Sequence, residues 1–434
     1  MHAATFERTR PGPAAAYAAS LLESLGVPAE SPARLGEPHP ALEWARSGAM
    51  ALTGPADGPP RVEAAGVAVV ARGAALALRV LAAVRGIELH VDGPARLGER
   101  AALLGLARRG RVSAGGASRL LCAADGWIAA SLARPDDLSS LPAWLGVEPT
   151  GDPWRAVAEH VRERTLAELV ERGRLLGLAV APAAELPSEI PPWMRVAARG
   201  PGVRRSPGTP PLVVDLSSLW AGPLCTQLLR QAGTRVVKVE SMGRRDGARA
   251  TPAFFGRLDE GKESVVLDFA SASGRAALRR LVADADVVVE SARPRALAQL
   301  GLDAEALVAE RPGLVWIAIS GYGRREPGAN WVAFGDDAAA AAGLARLAGR
   351  GLGEPVFCAD AVADPLAGLH AALAALAGLA SGEAVLFDLA LREVAAQAAR
   401  FADAADGAAV VATAHGFEVV ADGVRQVVRE PFAA

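Results

Sequence analysis

The residues most able to do chemistry lie between Glu354 and Ala380, where an aspartate opens a run of leucines. Asp364 stands directly before Pro365, and the leucines follow at helical spacing, so the pattern predicts a buried helix with Asp364 at its N-cap. One interpretation is a structural cap that accepts a backbone N–H bond. The other is a nucleophile, because a helix dipole stabilises an anion and would keep Asp364 ionised at neutral pH. The local sequence alone favours the cap and predicts that nearby Asp360 is a solvated loop residue.

Strands and helices that would position Asp364 alternate in the second half of the chain. Apolar runs predict five strands with helices between them, as in an open, doubly wound and mostly parallel α/β sheet. The predicted strands are 212–216, 235–239, 265–269, 287–289 and 315–319, and the predicted helices are 223–232, 274–283 and 294–300. Ligands bind at the carboxyl ends of the strands in such a sheet. The loops that follow the strands are therefore the candidate binding site.

The first half has a different pattern, which predicts a smaller α+β domain. Helices are expected at 11–26, 64–85, 154–162 and 165–176, and a hairpin at 120–132. Proline and glycine are concentrated at 199–211, which indicates a linker. The predicted organisation begins with a partial, degenerate repeat at 1–80 and a small domain at 81–198 that contains a glycine loop. The linker at 199–211, a large domain at 212–400 and a C-terminal strand segment at 401–434 follow.

Residues 1–80 are interpreted as a repeat because glycines and prolines recur in the second half at a constant offset. Gly48 and Gly343 lie 295 residues apart, and the same offset pairs Leu52 with Leu347, Gly54 with Gly349, Pro60 with Pro355 and Gly73 with Gly368. Chance matches between alanine-rich helices do not readily explain paired glycines and prolines outside the helices. Asp364 corresponds to Val69 at this offset, so the first copy is predicted to have lost the carboxylate.

Composition disfavours several classes of function. The net charge of −2 gives no reason to expect a nucleic acid or an acidic membrane surface as partner. Arg72 and Arg79 interrupt the alanine-rich stretch 64–84, which predicts a packed helix and no membrane span. The three cysteines lie far apart without metal-ligand spacing, and the first residues lack the apolar run of a signal peptide. A cytoplasmic protein without a metal site is therefore expected.

Segments of the second half resemble the family III CoA-transferases, the group that contains the formyl-CoA and carnitine CoA-transferases. The matching segments, in the family's order, are VVDLSSLWAGPLCTQLLRQAGTRVVKVE from Val213, GKESVVLDF from Gly261, ADVVVESARPRALAQLGL from Ala285, LVWIAISGYG from Leu314 and ADAVADPLAGLHAALAALAGL from Ala359. In the first half, VSAGGASRLLCAADGWIAASLA from Val112 resembles the family's glycine loop and the strand after it. The small domain would thus precede the large one, the reverse of the usual order. The tail FEVVADGVRQVVREPF from Phe417 resembles the family's C-terminal strand segment.

The resemblance implies that the 212–400 domain binds CoA and that Asp364 is the catalytic nucleophile. It implies an acyl-CoA and a small carboxylic acid as substrates, with CoA carried on Asp364, and no tightly bound cofactor. Gly115 and Gly116 would let backbone amides approach and shield the intermediate, although an ordinary flexible loop explains the same spacing equally well. The candidate CoA contacts lie at or near the strand ends: Trp220, Ala221, Gly222, Leu267, Ser291, Arg293, Arg295 and Gly321.

Other functions stay open at this point. Ser241 and Gln299 stand where the family often has arginines, and the first copy lacks the carboxylate, so a non-catalytic CoA-binding or partner subunit is the main alternative. An acyl-CoA racemase shares the family's fold but would pair the aspartate with an upstream histidine, which the stretch VAFGDDAAAAAGL lacks. An NAD-dependent oxidoreductase is disfavoured because DLSSLWAGP lacks a Gly-x-Gly-x-x-Gly turn.

The resemblance also implies a homodimer, because family members form interlocked pairs of chains with the active site between them. The order of the two domains leaves open which chain supplies the glycine loop. The loop at Gly115 and Gly116 would close either over Asp364 of its own chain or over that of a partner.

Overall fold

The computed structural model describes residues 11–28, 37–203 and 208–433. Its helices are α1 (Pro13–Ser24), α2 (Pro40–Arg46), α3 (Gly66–Val84), α4 (Gly93–Arg96), α5 (Glu99–Leu104), α6 (Pro135–Ser139), α7 (Leu141–Leu145), α8 (Pro153–Val161), α9 (Leu166–Leu175), α10 (Ala221–Gln231), α11 (Pro252–Asp259), α12 (Ala272–Asp284), α13 (Pro294–Gln299), α14 (Ala304–Glu310), α15 (Gly335–Ala341), α16 (Leu344–Ala348), α17 (Ala363–Ser381) and α18 (Leu391–Ala395). Its strands are β1 (Ser118–Ala123), β2 (Gly126–Ser131), β3 (Ala179–Pro182), β4 (Arg195–Gly202), β5 (Leu212–Leu216), β6 (Arg235–Ser241), β7 (Glu263–Leu267), β8 (Val287–Glu290), β9 (Val315–Ser320), β10 (Glu383–Ala390), β11 (Ala409–Thr413), β12 (Gly416–Ala421) and β13 (Val424–Val427).

The largest sheet has seven strands in the order β4-β10-β9-β8-β5-β6-β7. Its neighbouring strands are parallel except for β4, which pairs antiparallel with β10. The chain order reverses between β5 and β8, which is the arrangement of a doubly wound sheet. The predicted open, mostly parallel α/β sheet is confirmed.

Valine-rich runs form the centre of this sheet because helices cover both of its faces. Val213 and Val214 of β5 and 287–289 of β8 are fully buried. Helices α10 and α17 lie on one face, and α12 and α14 lie on the other. Asp215 is the buried polar residue of β5, and it accepts a hydrogen bond from Thr226 Oγ1 of α10 at 2.6 Å. This bond holds the middle of α10 to the carboxyl end of β5.

The chain enters the large sheet before the predicted linker 199–211 ends. Strand β4 runs through Gly202 and pairs with β10, so the first residues of that segment are an edge strand. A Cβ at Gly200 would lie 1.9 Å from Val308 O, so the close packing of β4 requires glycine here. In the sequence this glycine was interpreted as part of a linker. Residues 204–207 of the same segment lie outside the described residues.

The smaller unit is built on a three-stranded antiparallel sheet, β1-β2-β3, covered by α7, α8 and α9. The predicted hairpin is present, since β1 and β2 pair across the Ala124-Asp125 turn. Helix α15 of the second half packs against β2 and β3. A second antiparallel sheet, β11-β12-β13, packs against α2. The small sheet of the first half therefore meets the large domain at α15.

The two regions related by the 295-residue offset share their helix packing. Gly48 and Gly343 both have positive φ, at +79° and +90°. Helix α3 packs against α1 as α17 packs against α10. A Cβ at Gly73 would lie 2.9 Å from Ala14 O, and a Cβ at Gly368 would lie 2.8 Å from Ala221 O. Both pairs of helices therefore approach closely at glycines that the offset relates.

Helices α3 and α17 are long and apolar enough to cross a membrane, judged by length and composition. Within the protein, 67% of an apolar 18-residue stretch of α3 and 89% of the corresponding stretch of α17 are buried. Packing inside the protein is thus sufficient to account for the apolar character of both helices.

Candidate active site

Asp364 lies in the first turn of α17, one residue after the helix begins. The predicted N-cap position was wrong, because Val362 has helical backbone angles and is itself the N-cap. The Asp364 N–H donates to Ala361 O at 2.9 Å, which tightens the chain into the helix. The residue keeps part of its surface accessible. Its carboxylate is thus close to the positive end of a helix and still open to a reactant.

The backbone of Gly335 approaches this carboxylate closely, and its N–H stabilises the anion. A Cβ at position 335 would lie 2.6 Å from Asp364 Oδ2 and 2.2 Å from Ala361 O, so glycine is required here. Gly335 is also the first residue of α15. The starts of α15 and α17 therefore meet at Asp364.

Asp360 is fully buried, so the expectation of a solvated loop residue was wrong. Arg100 of α5 binds it with two donors, Nε at 2.8 Å from Oδ2 and Nη2 at 2.5 Å from Oδ1. A two-pronged guanidinium contact of this kind neutralises a carboxylate that has lost its water. The ion pair joins the first half of the chain to the loop before α17.

Two further carboxylates, Asp336 and Asp337, are buried at the start of α15. Asp336 accepts from the Ala361 N–H at 2.9 Å and from Ser118 Oγ at 3.2 Å, whereas Asp337 accepts from Ser131 Oγ at 3.0 Å. Ser118 and Ser131 are paired across β1 and β2, with their hydroxyl oxygens 2.8 Å apart. The small sheet is therefore hydrogen-bonded to the acidic start of α15.

Burial raises the pKa of Asp364 to about 7, and the charges of Asp336 and Asp360 act in the same direction. Arg100 and the Gly335 amide oppose the rise. Burial also raises the pKa of Asp336 to about 6 and that of Asp337 to about 7. The expectation that Asp364 is fully ionised at neutral pH was therefore wrong.

The predicted glycine loop lies beside the Arg100–Asp360 pair of the same chain. A Cβ at Gly115 would lie 3.2 Å from Arg100 Nη2 and 3.9 Å from Asp360 Oδ1. Gly116 has a φ of +82°, a conformation that favours glycine. The loop thus lies beside the ion pair that precedes Asp364. Contact between the loop amides and an intermediate stays a prediction.

The turn from Trp220 to Gly222 lies next to the same ion pair. Trp220 is buried, and the Arg100 guanidinium is stacked over its ring at 5.4 Å. Ala221 places its carbonyl against Gly368, and a Cβ at Gly222 would lie 2.2 Å from Ser217 Oγ. The turn therefore holds α10 against α17 through close backbone packing. Its contact with CoA stays a prediction.

Three other predicted contacts are spread along the carboxyl edge of the large sheet. Ser291, after β8, accepts from the Ser218 N–H at 3.2 Å and so lies beside the turn before α10. Leu267 ends β7 at the edge of the sheet, and Gly321 follows β9. The structure thus places Ser291 beside Ser218, before the turn to α10, and leaves Leu267 on the outer strand.

The two predicted phosphate-binding arginines, Arg293 and Arg295, are exposed at the start of α13. Arg295 lines a cleft of about 280 Å³ together with Glu305 and Arg324. Both guanidinium groups are therefore accessible to an anion, and their binding of CoA stays a prediction.

Sequence reasoning missed Arg100, Asp336 and Asp337. The adjacent aspartates carried a usable signal, because two acids at the start of an alanine-rich apolar helix need a polar partner. Arg100 carried none, since it is one of many arginines and its partner lies 260 residues away. In the ranges that the structure describes, no group of three His, Cys, Asp or Glu side chains is arranged to hold a metal ion.

Residues 211–419 match the model of CoA-transferase family III, which confirms the predicted resemblance. The chain is 32% identical over 207 residues to the succinate–glutarate CoA-transferase of Agrobacterium fabrum, a match that covers 43% of this chain and 52% of that protein. It is 31% identical over 175 residues to a formyl-CoA:oxalate CoA-transferase of Escherichia coli, covering 38% and 42%. The chain thus spans about half the length of these curated relatives.

Among solved structures, a CAIB/BAIF family protein from Brucella suis is 27% identical to this chain. The match covers 51% of this chain and 67% of that one, with a TM-score of 0.42.

Proposed function

We propose, because residues 211–419 match CoA-transferase family III, that the protein moves CoA from an acyl-CoA donor to a small carboxylic acid. The observation that carries the proposal is Asp364, a partly accessible carboxylate in the first turn of α17 with its pKa raised to about 7. A partly accessible carboxylate that changes its charge near neutral pH is suited to covalent chemistry.

In the first step, a carboxylate oxygen of Asp364 attacks the thioester carbonyl carbon, the carbon–sulfur bond breaks and CoA leaves as its thiolate. The thiolate then attacks the aspartyl carbonyl of the mixed anhydride, which releases the donor's carboxylate and leaves CoA on Asp364 as a thioester. The acceptor carboxylate takes CoA by the reverse sequence, and Asp364 is restored. Each step exchanges one carboxylate for one thiolate, so neither a redox partner nor a tightly bound cofactor is required.

The surroundings of Asp364 support each of these steps. The Gly335 N–H and the start of α17 stabilise negative charge at the nucleophile. Amides of the loop at Gly115 and Gly116 would stabilise the oxyanion of the attacked carbonyl. The small sheet is bonded through Ser118 and Ser131 to the start of α15, and at this place it would limit the access of water to the anhydride.

A racemase would need a second base beside Asp364, and His370 is not suited to that role. Its Nδ1 donates to Leu366 O at 2.7 Å, and its Nε2 accepts from the Tyr17 hydroxyl at 2.9 Å. Burial lowers the pKa of His370 to about 4. His370 therefore joins α17 to α1, and these contacts favour transfer over racemisation.

The proposal is tested by incubating the protein with a panel of acyl-CoA donors, including succinyl-CoA, formyl-CoA and acetyl-CoA, and measuring its intact mass. A reactive donor should leave one CoA on the chain in thioester linkage, and hydroxylamine should remove it. Binding of CoA by calorimetry with no adduct from any donor would favour the non-catalytic CoA-binding subunit instead.

We expect the transfer rate to depend on the ionisation of Asp364. The anion is the nucleophile, and its pKa is raised to about 7, so the rate should be full above pH 8 and fall about tenfold per pH unit below pH 6. Initial rates between pH 5 and pH 9 check this, with circular dichroism at each pH as the control for folding. A rate that stays constant from pH 5 to pH 7 would contradict it.

We expect CoA binding to weaken as salt rises, because Arg293 and Arg295 would contact its phosphates through exposed charges. Calorimetry should show a lower affinity at about 0.5 M than at about 0.05 M NaCl, where the Debye length differs by about threefold. Arg293→Gln and Arg295→Gln should each weaken binding at low salt. The matched control is Arg280→Gln, an exposed arginine on α12, which should bind CoA as the parent chain does. Equal affinity in all of these proteins would remove the arginines from the site.

A further inference from the structure

Arg100 contacts three separate segments around Asp364. It lies on α5, in the first half, and its Nε and Nη2 bind both oxygens of Asp360 in the loop before α17. Its guanidinium is stacked over the Trp220 ring at the start of α10. A Cβ at Gly115 would lie 3.2 Å from its Nη2, so the glycine loop is in contact with it too. One side chain thus connects the nucleophile's loop, the turn before α10 and the glycine loop.

The burial of this ion pair is uneven. The Asp360 side chain is 0% exposed, whereas that of Arg100 is 26% exposed. A carboxylate without water needs its counter-ion, so loss of Arg100 would leave Asp360 as an uncompensated charge close to Asp364. Loss of Asp360 instead would leave a cation that is still partly solvated. The two members of the pair are therefore not interchangeable in their effect on the site.

Charges reach Asp364 from several elements. Asp336 at the start of α15 and Asp360 before α17 act against its anion, and Asp337 lies directly beside Asp336. Arg100 of α5 is the strongest cationic influence on Asp364. The charge balance of this site therefore depends on a residue of the first half of the chain.

We propose that Arg100 and Asp360 form a positioning pair for Asp364: Arg100 fixes the loop before α17 and favours the Asp364 anion, and Asp360 holds Arg100 in place. The proposal rests on Asp364 being the nucleophile of the proposed function. The opposite charges of the two residues distinguish a positioning pair from a merely structural ion pair. Removing Arg100 removes a positive charge, and removing Asp360 removes a negative one, so the two changes should act on Asp364 in opposite directions.

The test measures the ionisation of Asp364 directly, without a substrate. The full chain is labelled with [4-¹³C]aspartate, and the Asp364 carboxyl signal is assigned by its absence from Asp364→Asn. Arg100→Met should raise the pKa of Asp364 by about one pH unit or more, whereas Asp360→Asn should lower it. Arg100→Lys, which keeps the charge, should stay close to the parent chain. The matched control is Arg257→Met, which breaks a 2.7 Å contact with Glu99, the neighbour of Arg100, and should leave the signal unmoved.

Two outcomes would overturn the inference. One is a shift of the Asp364 signal in the same direction in Arg100→Met and Asp360→Asn, as general loosening of the site would produce. The other is no shift in either variant while both keep the parent's far-ultraviolet circular dichroism. If Arg100→Met does not fold, Arg100→Gln provides the same comparison, because glutamine can still donate one hydrogen bond to Asp360. Opposite shifts in a protein that forms no CoA adduct would support the pair and refute the proposed function.

Discussion

Replacing Asp364 with asparagine should abolish CoA transfer and leave the fold intact. An amide has the shape of the carboxylate but cannot form the anhydride or the thioester, so we expect the rate to fall by about a thousandfold or more. Stability should hold or rise, because burial already disfavours the charged form of Asp364, as its raised pKa shows. The change is measured by CoA exchange, by the loss of the covalent adduct and by the thermal midpoint.

The matched control for this change is Asp303→Asn. Asp303 is also an aspartate at the start of a helix, where it caps α14 by accepting from the Ala306 N–H at 3.0 Å. Asparagine caps helices as well, so this variant should keep both activity and stability. Undiminished transfer by Asp364→Asn, with Asp303→Asn also active, would exclude Asp364 from the mechanism.

Strands were predictable from the sequence where their local hydrophobic pattern agrees with their burial in the folded protein. Strand β5 occupies the predicted residues 212–216, and β8 and β9 each differ from the prediction by one residue. Runs of valine are buried most completely at the centre of a sheet that helices cover on both faces, so their local pattern agrees with their environment. Strand β4 was not predictable. Its pairing with β10 joins residues as far apart as Arg199 and Val385, and no local pattern reports that contact.

The place of Asp364 in the first turn of a buried helix was predictable from the sequence, whereas the charges around it were not. Its role as nucleophile stays a prediction. Asp364 stands out locally, but its ionisation depends on Asp360 in the loop just before it and on Asp336 and Arg100 from two other segments of the chain. Asp360 looked like a loop residue because its counter-ion lies 260 residues away. The sequence around Asp360 therefore gave no sign of the ion pair that Asp360 forms.

The 295-residue offset also relates the charged residues of the site to apolar ones. At the 295-residue offset, the four carboxylates of the site correspond to apolar residues of the first half that are all buried: Ala41, Leu42, Ala65 and Val69. The first region thus resembles the second in its helix packing and has buried apolar residues at the positions of the four carboxylates. The repeat itself stays a prediction. We therefore expect one CoA adduct per chain.

Mixing two inactive variants should restore no activity. One variant is Asp364→Asn. The other carries Gly115→Val and Gly116→Val, which would push against Arg100 and force a β-branched residue into a φ of +82°, so we expect it to lose at least about a hundredfold in rate. In the described structure the glycine loop lies against Asp360 of its own chain, and Ser118 and Ser131 bond the same unit to the start of α15. Each chain should then close its own site.

The measurement is CoA exchange by the two variants after co-refolding, with subunit exchange followed by a tagged copy of one of them. Gly256→Val is the matched control for the loop variant, because a Cβ at Gly256 meets no atom within 4 Å and activity should persist. Recovery to about a quarter or more of the parent rate would mean that the loop of one chain serves Asp364 of another. The homodimer implied by the family stays a separate prediction, since two self-closed chains can also associate. Light scattering at micromolar concentration tests it, and a monomeric mass together with full activity would refute the dimer while leaving the self-closed site intact.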